Sequence, residues 1–157
     1  PEQLPNICIT MNLPKYTYIT DNDFQDYSFF SVGPKGWIKK SVVYAKIQDD
    51  PVVYNLAFGD EDPDTGEIND TITSNNADSD IVLATVANTI HDFCNHYGNH
   101  YIFATGSTPS RTRLYQMNIS RLLNEISKDF DVFGVINGQR YKFQKSVNYE
   151  GFLVKRR

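Results

Sequence analysis

From Tyr16 onward, apolar and polar positions alternate in the two-residue rhythm of strands: Tyr16 and Tyr18 stand either side of Thr17, then Tyr27 and Phe29 either side of Ser28. The turn residues Gly33-Pro34-Lys35-Gly36 lead into Trp37, Ile38 and the run Val42-Val43-Tyr44, which predicts a hairpin. The run from Val52 to Phe58 predicts a further strand before Gly59. Pro63-Asp64-Thr65-Gly66 then supplies turn chemistry, and residues 67–73 are expected to pair back.

After Asp78 the period changes to that of a helix. Leu83, Val86, Ala87, Ile90, Cys94 and Tyr97 recur at three- and four-residue spacing, with Asp78 as N-cap and Gly98 as terminator. Tyr101 to Ala104 is a short continuous apolar run of the kind that forms a buried central strand. Thr108 as cap and Pro109 in the first turn open a second helix, whose Tyr115, Ile119, Leu122 and Ile126 share a face. Phe130 to Ile136, the Asn137-Gly138 turn and Arg140 to Lys145 predict a second hairpin, and Phe152 to Val154 a last strand. The order strands, helix, strand, helix, strands predicts an α+β fold: a mostly antiparallel sheet with both helices packed on it and the Tyr101 strand inside.

A length of 157 residues fits one compact domain over residues 11–157, large enough to bury a core without metal or disulfide staples. Residues 1–10 read as an expression remnant or an upstream extension. Two cysteines, Cys8 and Cys94, make no disulfide framework, and no apolar run nears the roughly 18 residues of a membrane span, so a cytoplasmic setting without membrane contact is expected. The net charge of −4 conceals a division: residues 1–100 carry 15 acidic and 5 basic side chains, residues 101–157 carry 4 and 10. Either the fold has an acidic and a basic side, the latter suited to phosphates, or the two halves pair internally.

The candidate site is Thr105-Gly106-Ser107-Thr108-Pro109-Ser110-Arg111-Thr112-Arg113. A strand end, a glycine, several hydroxyls, a helix start and two guanidinium groups together form an anion cradle. A first helical turn leaves N–H groups unpaired at the positive end of the macrodipole. Gly106 lets the backbone approach, Thr105, Ser107, Thr108 and Ser110 offer hydroxyls, and Arg111 or Arg113 supplies a clamp for a phosphate-containing small molecule. Helix capping explains Thr108 and Pro109 equally well. The segment lacks the spacing and Gly-Lys ending of a Walker loop, and no motif specifies a cofactor.

Other clusters point elsewhere. The acidic run from Asp60 to Asp70 fails as a calcium loop, since Thr65 and Thr71 stand where glycine and glutamate are needed. His91, His96 and His100 lack the spacing of paired metal ligands, and Cys94 falls on the apolar stripe as a packing residue, so no metal site is expected. Ten Tyr, ten Phe and one Trp could stack single-stranded bases, but no motif for it is present and the pI of about 5.3 opposes general nucleic-acid binding.

Several segments resemble an uncharacterised family of small Bacteroidota proteins: Asn55 to Asp60, Ser74 to Ser79, the segment from Ala104 to Tyr115 that reads ATGSTxxRTRLY, and Tyr149 to Lys155. That resemblance implies a single domain and a bacterial cytoplasmic setting, and carries no catalytic residue. The element order is also similar in outline to the GNAT acetyltransferases, with Leu114-Tyr115 where that fold has a Leu-Tyr pair. This second resemblance implies acyltransferase activity with Tyr115 as the acid that protonates the departing coenzyme A thiolate. The family's glycine-rich pyrophosphate loop has no counterpart at Asn75 to Asp80, where carboxylates would repel it. Three functions follow as expectations: a binder of a nucleotide or coenzyme A type ligand with degenerate acyltransferase character, a protein-interaction module such as one partner of a toxin–antitoxin or other two-gene system, or a single-stranded nucleic-acid reader.

Overall fold

A computed structural model describes residues 13–69 and 75–157. The expectations for residues 1–10, for Cys8, for Ser74 and for pairing by residues 70–73 lie outside the described residues. The chain runs β1 (Ile19–Asp21), β2 (Asp26–Gly33), β3 (Gly36–Asp49), β4 (Val52–Glu61), β5 (Ile68–Asn69), α1 (Ser79–Tyr97), β6 (Tyr101–Ala104), α2 (Pro109–Arg121), α3 (Leu123–Ile126), β7 (Phe130–Ile136), β8 (Gln139–Lys142) and β9 (Gly151–Arg156).

Among the described residues all strands join one sheet in the order β1-β2-β3-β4-β6-β9-β7-β8, with β5 paired to the far end of β4. Pairing is antiparallel except between β4 and β6, which run parallel because the chain crosses between them through α1. Tyr101 to Ala104 thus sits between β4 and β9 as an interior strand. The β7–β8 hairpin closes on Asn137 and Gly138, both at positive φ (52° and 75°), the backbone of a two-residue turn whose twist suits the strands.

All three helices lie on one face of the sheet. Alternate residues Tyr27, Val42, Tyr44, Leu56, Ile102, Val132 and Phe152 turn to that face and form the core with Ala84, Ala87, Ile90 and Phe93 of α1. Tyr44 stacks on Phe93 at 4.2 Å between ring centroids, and its hydroxyl shares a 2.8 Å hydrogen bond with Thr89, so a buried phenol in the sheet is satisfied by the helix above it.

Several expectations need correction. Tyr16 and Tyr18 precede β1 rather than belonging to a strand; they fold against α1, where Tyr16 donates to the Asp78 carboxylate (2.7 Å) and Tyr18 to that of Asp92. Asp78 occupies the N-cap position of α1 without capping through its side chain, because its carboxylate is engaged by Tyr16 and by Ser31 (2.5 Å) from the sheet. The second helix stops at Arg121, so Ile126 belongs to the separate turn of α3 rather than to one continuous stripe. No helix among the described residues is long and apolar enough to cross a membrane.

Candidate functional site

The apolar stripes of α1 and α2 share a cavity. Both helices pack on the sheet, but Val82, Leu83 and Val86 of α1 face Leu114, Tyr115 and Ile119 of α2 across an open cleft with a volume of about 380 Å³. Its floor is the sheet, with Leu56 and Phe58 from β4, Ile102 from β6 and Val154 from β9. Leu83 and Val86, which the helical spacing marks as core, are only half-buried, whereas Ala84, Thr85 and Phe93 on the neighbouring flank are fully covered. Apolar surface left half in water is unfavourable by roughly 25 cal/mol per Å², so the cleft favours an apolar occupant.

Polar groups stand among the apolar ones of the lining. Lys40 and Asp60 face each other across β3 and β4 as a largely buried ion pair. Asn76 donates to Ser31 (3.1 Å) and to the Gly36 carbonyl (3.0 Å), and Ser31 donates to Asp78, which fixes the loop before α1 against the β2–β3 turn. Burial, with the Asp78 carboxylate adding to it, raises the Tyr16 phenol above its ordinary pKa, so the hydrogen-bonded neutral phenol is the resident form. Thr105, Arg111, Tyr115 and Asn118 also line the cleft.

Only part of the sequence-derived site reaches this cleft. Thr105, Arg111 and Tyr115 line it. Ser107, Thr108, Ser110 and Arg113 are exposed and lie outside its lining. At the start of α2 the protein's own groups take up part of the expected cradle. The Thr108 hydroxyl accepts from the Arg111 backbone N–H (3.2 Å), the Thr108 carbonyl accepts from the Thr112 N–H (3.0 Å), and Gly106 N–H donates to the Thr112 hydroxyl (3.1 Å). Gly106 is pressed against that turn so closely that a Cβ there would lie 2.6 Å from the Thr112 nitrogen, so the close packing of the backbone itself calls for glycine here. Thr105 is held by the Glu150 carbonyl, to which its hydroxyl donates at 2.8 Å.

The remaining candidates are structural. His91 is half-buried beside Arg156 and Phe130, His96 stacks on Phe24 at 3.5 Å, and His100 lies near Tyr54. Burial, then the Arg156 charge, lowers the His91 pKa, while burial raises that of the Cys94 thiol. Among the described residues no group of three or more His, Cys, Asp or Glu side chains could hold a metal ion. Sequence reasoning missed the α1 side of the cleft altogether: Val82, Leu83, Val86 and the Lys40–Asp60 pair carry no local signal that distinguishes a cavity wall from a core.

No curated protein and no solved structure matches the chain. A family model does, over residues 12–157, nearly the whole sequence, and the chain therefore belongs to DUF6934, a family of unknown function.

Proposed function

We propose that the cleft between α1, α2 and the sheet binds an amphipathic small molecule whose apolar part fills the cavity and whose phosphate lies at the mouth against Arg111 and Thr105. The observation that carries this reading is the cavity of about 380 Å³, lined mainly by apolar side chains with a few polar and charged ones among them, in the size range of sites for small organic ligands. Arg111 supports an anionic group because guanidinium matches phosphate oxygens in pairs. Of the residues proposed for the anion, Thr105 and Arg111 are those that line the cleft. A coenzyme A or nucleotide type ligand joins a phosphate to a less polar portion, as this division requires. For an acyl thioester, Tyr115 in the wall is the residue that would protonate the departing thiolate, the role implied by the acetyltransferase resemblance.

A thermal-shift panel of coenzyme A, acyl-coenzyme A and nucleotides tests the reading. A ligand at about 100 times its Kd stabilises by about 2.7 kcal/mol, which for a domain of this size raises Tm by about 5–10 °C. Arg111→Gln should reduce that shift for phosphorylated ligands; a shift unchanged in this variant removes the arginine from the site.

A second reading, docking of another protein, is favoured by one observation. Ile19, Phe30, Val32 and Trp37 project from the end strands on the sheet face away from the helices, and Trp37 is 72% exposed with its ring 5.7 Å from that of Phe30. Trp37→Ser should leave ligand shifts intact while abolishing partner capture; capture that survives it removes this patch from the reading.

A further inference from the structure

The sheet face away from the helices carries a second chemistry at its other end. Strand register places Tyr101 and Phe103 of β6, Leu153 and Lys155 of β9, Phe133 of β7, and Arg140 and Lys142 of β8 side by side on that face. The Arg140 guanidinium lies 5.0 Å from the ring centroids of both Tyr101 and Phe133 and donates to the Tyr101 hydroxyl. The Lys155 ammonium lies 5.0 Å from the Tyr101 ring. The single carboxylate within these four strands, Asp131, is paired with Arg157 at 3.0 Å. None of the described helices covers this face, since all three pack on the opposite one.

Independently of the cleft, we infer that this aromatic and cationic face of β6, β9, β7 and β8 binds single-stranded nucleic acid. The argument is charge and shape complementarity. Cations interleaved with flat rings offer phosphates a counter-charge and bases a stacking surface, and a guanidinium already stacked on rings presents a planar cation on which a further base can stack. A duplex keeps its base faces stacked inside, so the single strand is the form whose bases can stack on these rings. The acidic residues concentrated in the first hundred positions keep the strand on this end of the sheet.

Fluorescence anisotropy of the whole chain with a labelled oligonucleotide of about 12 residues, single-stranded or annealed to its complement, tests this. Arg140, Lys142 and Lys155 give about three phosphate contacts, so raising salt from about 50 to about 200 mM should weaken single-strand binding roughly 20-fold. The double variant Arg140→Gln, Lys155→Gln should keep the parent melting temperature, lose most of the affinity and flatten the salt dependence by about two contacts. Should that variant melt early, Lys142→Gln with Lys155→Gln, which leaves Arg140 on its rings, must show the same flattening. Absence of binding at low salt, equal affinity for the duplex, an unchanged salt slope in the variants, or displacement by polyglutamate as effective as by the unlabelled strand would each overturn the inference.

Discussion

Gly134 leaves no room for a side chain: a Cβ there would lie 2.2 Å from Cδ1 of Tyr149, a buried ring whose hydroxyl accepts from the Gln144 N–H. Gly134→Ala should therefore cost about 1–3 kcal/mol in urea unfolding, as overpacking does; a variant as stable as the parent would mean that Tyr149 can move. His91 gives a pH signature. Its folded pKa lies below the ordinary 6.5, so between those two values the unfolded chain binds more protons, and stability falls as pH drops below about 6.5. His91→Gln should flatten that part of the stability profile, and an undiminished slope would assign it to other groups. At this scale the sequence was informative where chemistry is local: Thr108 with Pro109, and Asn137 with Gly138, act on their own neighbours. The crowding at Gly106 and Gly134 was opaque because what crowds a glycine is set by the fold: the first turn of α2 at Gly106 and the Tyr149 ring at Gly134.

Among elements, α2 depends on its cap. Thr108→Ala removes the acceptor for the Arg111 N–H and should cost about 1 kcal/mol; a loss measured in denaturant and confined to α2 by hydrogen exchange would agree, whereas no loss would show the cap to be redundant. Most elements are legible because turns and periods are local signals: the Gly33 to Gly36 turn, the β7–β8 hairpin, the Tyr101 strand and both long helices follow from them. The break at Leu122 was not, nor was the departure of Tyr16 and Tyr18 from β1, which answers to distant partners, Asp78 just before α1 and Asp92 on it. The cleft is hidden for the same reason. Leu83 and Val86 stand at core spacing whether they meet protein or line a cavity, and nothing in the spacing tells the two apart.

Over the whole molecule the uneven charge acquires a spatial meaning. Strands from the acidic first hundred residues fill one end of the sheet and those from the basic remainder the other, with β4 and β6 meeting between them. The two alternatives read from the sequence both hold in part. Arg121 pairs with Asp80, and Arg156 reaches the His91 carbonyl and Asn95 on α1, so some basic groups are spent across the boundary. Arg140 and Lys155 instead lie over aromatic rings on the uncovered face. The molecule thus has two separable surfaces: an apolar cleft under its helices and a cationic, aromatic sheet face behind them.

The cleft is the central claim, and plugging it is the most direct test. Val86→Trp places a large apolar ring in the cavity that Val86 lines. Thermal shift with the coenzyme A and nucleotide panel should show stabilisation of the parent by about 5–10 °C at saturating ligand and none in the plugged variant, whose own Tm should equal or exceed the parent's. A ligand shift that persists in a folded Val86→Trp protein, or a parent that responds to no member of the panel, would contradict the account.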